Sequence, residues 1–149
     1  MNAALKLCIA IICAFLLTAC FGENYDFSPP TVLVMDPSSL EDEELTETNI
    51  DWDSDEHYKK TTDDYVTFAN SLEALQYEAE QQLTIEFDSQ DFAISELLVS
   101  VWKNGEKTEL ELRDDRSFHL PAEPGEYILE VELVSDTGEA QYVGNILLK

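Results

Sequence analysis

Apolar and polar residues alternate with period two through most of the chain after Leu72. Leu75, Tyr77 and Ala79 share one face, and Leu83, Ile85 and Phe87 share another. Leu97, Val99 and Val101 lead into Lys103-Asn104-Gly105-Glu106, after which Leu110 and Leu112 return. An Asn-Gly pair between two alternating runs predicts a tight hairpin, because both central residues of that turn need positive φ. Phe118 and Leu120 form a short run before Pro121. A longer one goes out from Gly125 to Leu133, turns at Ser135–Gly138 and comes back from Ala140 to Leu148. Glu130 and Glu132 stand opposite Leu129 and Val131, which predicts a sheet with one wet side. Six to eight short strands at about ten-residue spacing, joined by tight turns, predict a mainly β chain folded as an antiparallel sandwich over residues 73–149.

The pattern is different before Leu72. Thr31-Val-Leu-Val-Met35 predicts a first strand, broken by Asp36-Pro37-Ser38. Residues 36–64 hold 12 acidic residues against Lys59 and Lys60. This composition predicts a long, weakly ordered stretch with one turn of helix near Leu40–Leu45, docked on the core through Ile50 and Trp52. Asp63 and Asp64 suit a helix start, since a carboxylate there accepts from free N–H groups and faces the positive end of the dipole. Tyr65, Phe68, Ala69 and Leu72 follow at helical spacing, so a short helix is expected over 64–72. The resulting organisation is an acidic N-terminal segment over 31–72 ahead of the sandwich.

The first twenty residues carry a different kind of information. Lys6 precedes an unbroken apolar run from Leu7 to Leu17, which is too short to span a bilayer as a permanent helix. The run ends in Leu17-Thr18-Ala19-Cys20, which resembles the lipobox of bacterial lipoproteins. That resemblance implies a signal peptide over 1–19, cleavage before Cys20, and a diacylglyceryl group on its sulfur. Two acyl chains hold firmly where one is marginal, at about 0.8 kcal/mol per buried methylene. Residues 20–30, with Pro29-Pro30 favouring extended geometry, then read as a lipidated tether. The implied location is the extracytoplasmic face of a cell membrane. Cys8 and Cys13 leave with the leader, so the exported domain has no internal disulfide and rests on its core alone.

A second resemblance concerns the other end. Pro-Ala-Glu-Pro-Gly125-Glu-Tyr127-Ile-Leu-Glu-Val-Glu-Leu, a turn, and Tyr142-Val-Gly-Asn-Ile look like the last two strands of bacterial Ig-like or fibronectin-like modules. This makes the expected sandwich Ig-like; it says nothing of function, because such folds host many.

The chain carries 32 acidic residues against eight basic ones, a formal charge of −24, and only Lys6 of all these lies before Cys20. Such a balance excludes nucleic acid as a partner, since binding it requires a cationic face that displaces counterions. It also disfavours lying flat on anionic lipid or wall polymers within a Debye length of about 8–10 Å. What remains is a solvating charge, or an acidic patch for cations or a basic partner.

Candidate chemistry is sparse. Asp51, Asp53 and Asp55 alternate in a way that suits calcium, but Glu56 stands where an EF-hand has glycine and Thr62 where it has its bidentate Glu. His57 and His119 are the only histidines, and neither accompanies a Gly-x-Ser-x-Gly elbow or a cysteine nucleophile, so no enzyme is expected. Trp52 and Trp102 are the candidate contacts for a ligand or partner, Trp102 foremost because it adjoins the Asn-Gly turn. The expected role is non-catalytic binding or assembly at the envelope, with an envelope protein or polymer as partner. The alternative is a divalent-cation binder using calcium in residues 36–64.

Overall fold

A computed structural model describes residues 28–149; the lipobox, Cys20 and most of the expected tether lie outside the described residues. The described residues form two packed sheets and one short helix. Its elements are β1 (Val32–Asp36), β2 (Glu41–Glu44), β3 (Thr46–Asp53), β4 (His57–Lys60), α1 (Tyr65–Asn70), β5 (Ala74–Tyr77) and β6 (Gln82–Phe87). These are followed by β7 (Ile94–Lys103), β8 (Glu106–Glu109), β9 (Ser117–His119), β10 (Gly125–Ser135) and β11 (Gly138–Leu148). One sheet has the order β2-β1-β6-β9. The other runs β4-β3-β11-β10-β7-β8, and β5 lies parallel to the last residues of β11. The sandwich expected from period two is present.

Alternation explains which residues meet between the sheets. Val32 and Val34 of β1, Leu83 and Ile85 of β6, Val99 and Val101 of β7, and Leu129 and Val131 of β10 are all buried there. The β7–β8 turn is the hairpin that Asn-Gly demands: φ is +53 at Asn104 and +82 at Gly105, and Lys103 pairs with Glu106. Asp64 caps α1 by accepting from the Thr67 backbone N–H at 3.0 Å, which holds its carboxyl below the usual carboxylate range.

Three expectations are corrected. Residues 36–64 are not weakly ordered and have no helical turn near Leu40–Leu45. They supply β2, β3 and β4, with β2 paired to β1 and β3 to β11, so the segment 31–72 is built into both sheets. Acidity had masked the alternation of Thr48, Ile50 and Trp52, which are buried while Asp51 and Asp53 face solvent. The chain crosses from one sheet to the other at Leu45, whose side chain fills the space over Gly144; a Cβ there would stand 2.7 Å from it.

Of the residues expected to form a tether over 20–30, Pro29 and Pro30 instead belong to the folded domain. Pro29 and Pro30 are buried, the Tyr142 hydroxyl donates to the Pro30 carbonyl at 2.6 Å, and the Thr31 N–H donates to Asp88 Oδ1 at 2.7 Å. The third correction concerns the wet face of the larger sheet. One part of it is covered by α1: Ala69 packs on Ile128 and Val143, flanked by Tyr65, Val66, Phe68, Leu72 and Trp102.

Candidate functional site

The sandwich has two poles. The described chain begins at the first, among the β3–β4, β6–β7 and β10–β11 connections. The second carries the β7–β8 hairpin, the Pro121–Pro124 segment that leads into β10, and the chain's end at Lys149.

At the second pole a cleft of about 380 Å³ lies between α1 and the hairpin, lined by Val66, Asn70, Trp102, Asn104, Glu126 and Ile128. Lys103 forms one wall and separates it from a cleft of about 440 Å³ lined by Glu106, Thr108, Pro121, Glu123 and Tyr127. Its ammonium stands 2.8 Å from Glu123, donates to the Tyr127 hydroxyl at 3.2 Å and lies 4.6 Å from that ring's centre. The bond to Glu123, then the one to Tyr127, raise its pKa, so it remains a cation at any physiological pH.

Trp102 is half-buried, in edge contact with Tyr65 at 6.2 Å. Its indole N–H donates to Glu130 Oε2 at 2.5 Å, while the Gln141 amide donates to Glu130 Oε1 at 2.5 Å and Lys107 pairs with Oε2 at 3.2 Å. Gln141 in turn accepts from the Thr48 hydroxyl and from Asn49. Glu130 is thus a fully desolvated carboxylate at the centre of a polar network beside α1, and its wet-face position in sequence gave no warning of this. The signal available was Trp102, which the Asn-Gly hairpin places on β7 beside the strand carrying Glu130. Lys107 also binds Glu132 at 2.6 Å; burial opposes its charge, but the bonds to the two carboxylates outweigh that and raise its pKa.

Trp52 does not present a contact surface: it is 3 % exposed and packs edge-on against Phe92 at 5.5 Å. Above that pair, at the first pole, a cleft of about 410 Å³ is lined by Asp53, Asp55, Asp91 and Asp136. Asp51 is drawn away from it, pairing with Lys59 at 3.2 Å and His57 at 3.5 Å, while Asp53 is 3.9 Å from His57. Among the described residues no group of three or more His, Cys, Asp or Glu side chains is arranged to hold a metal ion. His119 is exposed on β9, far in sequence from His57.

No known protein family, curated protein or solved structure matches the chain. Among the described residues no helix is long and apolar enough to cross a membrane.

Proposed function

We propose that the protein is a lipid-anchored envelope module with a non-catalytic binding role, held to the membrane through Cys20 and displaying the Trp102–Lys103 clefts to its partner. The observation that carries this reading is the relation between the leader and the fold. Eight positions separate Cys20 from Ser28, a reach of at most about 29 Å at 3.3–3.6 Å per residue. The chain then passes directly into the clamp formed by Pro30, Tyr142 and Asp88 at the first pole. An anchor at Cys20 therefore holds the first pole towards the bilayer and turns the second outward. The side chains facing the bilayer are then Asp53, Asp55, Asp91 and Asp136, which keep the domain off an anionic surface.

The chemistry at the second pole suits binding better than catalysis. Its aromatic, amide and charged groups offer stacking and hydrogen bonds to a ligand. Lys103, between its two clefts, is already neutralised by Glu123, and among the described residues lining those clefts no nucleophile has an adjacent base. Fractionation tests the anchor. The wild-type chain is expected in the membrane fraction after a high-salt, alkaline wash. Processed chain in the soluble fraction would overturn the reading.

A further inference from the structure

The first strand edge of the smaller sheet is strongly charged and open. β2 is Glu41-Asp42-Glu43-Glu44, exposed at all four positions, and it ends the sheet, so among the described residues its side away from β1 has no neighbouring strand. Leu40 leads into it at φ +59 with its side chain 78 % exposed. The register pairs Glu43 with Val34 and Glu41 with Asp36. Directly opposed residues share a face, and Val34 is fully buried between the sheets. Asp36, Glu41 and Glu43 are therefore on the face turned towards the larger sheet, at its open rim.

Among the described residues no basic side chain pairs with Asp36 or with Glu41–Glu44, as is true of most carboxylates here. One fact distinguishes this rim from an ordinary solvated surface. Below it, on β5, Tyr77 is 8 % exposed and belongs to the core, yet its hydroxyl is buried without a hydrogen-bond partner. Glu43 and Asp36 are the charges that act on that phenol. A buried hydroxyl left unpaired is costly, and a partner group that reaches it recovers the loss.

We infer that the β2 edge receives an extended, lysine- or arginine-bearing segment of a partner protein. The segment adds to the sheet as a strand, and its alternate cations meet Asp36, Glu41, Glu43 and the Tyr77 hydroxyl. Strand addition gives backbone hydrogen bonds, and the period of two delivers every second side chain to the rim. This rests on the binding role proposed above and names the partner's chemistry. It does not depend on the lipid anchor. The competing explanation is that four acids merely keep a bare edge from pairing with other chains.

Titration of the whole detergent-solubilised chain with a fluorescent ten-residue peptide of alternating lysine and threonine distinguishes these. Saturable binding is expected, weakened about tenfold when proline replaces the threonines, because proline cannot donate to a strand ladder. A Glu41→Lys/Glu43→Lys variant should lose about tenfold or more, while Glu106→Lys/Glu109→Lys on the β8 edge should change binding by less than about twofold. Tyr77→Phe, which keeps the ring in place, should weaken it about threefold. Equal binding of the proline peptide, equal losses from the two edges, or no saturable binding would each overturn the proposal. Self-association of the charge-reversed β2 variant without peptide binding by the wild type would assign the edge to protection alone. Because the peptide assay does not involve the lipid, its failure and a failure of membrane anchoring are separate results.

Discussion

Trp102 and Glu130 are diagonal neighbours on adjacent strands of the larger sheet, the indole N–H donating to a carboxylate that is 1 % exposed. This bond joins the floor of the cleft between α1 and the β7–β8 hairpin to the most buried charge among the described residues. It is completed by Lys107 and Gln141, and each of the three partners loses a bond if the carboxylate is removed.

Truncating Glu130 therefore leaves an indole and an amide without their acceptor, while Lys107 keeps Glu132. Glu130→Ala is expected to destabilise the fold by about 2–4 kcal/mol, from buried donors left unpaired at about 1–3 kcal/mol each. In urea denaturation this appears as a lower midpoint at unchanged slope. A loss under about 1 kcal/mol would mean that the network is not holding α1 and the cleft together.

Two glycines in turns make a contrast. At Gly138 (φ +153) a Cβ would stand 2.1 Å from the Asp51 carbonyl oxygen, in the backbone of the neighbouring strand, which cannot move aside without breaking the β3–β11 register. At Gly105 (φ +82) the same atom meets nothing within 4 Å. Gly105→Ala should cost only the conformational penalty of about 1 kcal/mol, and Gly138→Ala about 2 kcal/mol or more. Thermal melts of the two variants side by side check the order.

Alkaline stability follows from Tyr77, whose phenol is pushed from 10.0 up to about 12 by burial, with Glu43 and Asp36 adding to it. Burial of Tyr142 pushes its phenol up as well. The folded state favours the protonated phenol, so its contribution is complete below the unfolded value near pH 10. It is lost as pH rises from 10 to 12, where the unfolded chain ionises and the folded one does not. Stability should fall by roughly 2 kcal/mol per phenol across that window. Tyr77→Phe should flatten the decline, read by phenolate absorbance during unfolding.

Charge balance sets the response to salt. With 32 acids against eight bases in the chain, repulsion outweighs the few exposed ion pairs. Raising sodium chloride from about 10 mM to 0.5 M shortens the Debye length from about 30 Å to a few ångströms and should raise the melting temperature. A falling melting temperature would mean that the pairs at Lys59, Lys60, Lys103 and Lys107 outweigh the repulsion.

The strands that the sequence made plain are those whose alternation is apolar on one side: β6, β7, β10, β11 and the Asn104-Gly105 hairpin. β2 was hidden because its four acids owe their strand geometry to backbone pairing with β1, which no side-chain pattern records. β3 was legible in principle from Thr48, Ile50 and Trp52, but the surrounding carboxylates outweighed three buried residues in a composition reading. The burial of Glu130 depended on α1 folding back over the sheet, a tertiary event that period two on β10 does not contain. The same event turned Trp102 from a free surface aromatic into the half-buried floor of a cleft. Trp52 was the opposite case, since its alternation with Asp51 and Asp53 already placed it inside.

The central claim is the lipid anchor, because it decides which pole faces outward. The intact mass of the membrane-extracted protein, measured beside a Cys20→Ala variant, tests it most directly. The account predicts a chain that begins at Cys20 and carries a diacylglyceryl group, with the variant accumulating as unprocessed precursor. A mass without lipid, or a variant processed like the wild type, would contradict it.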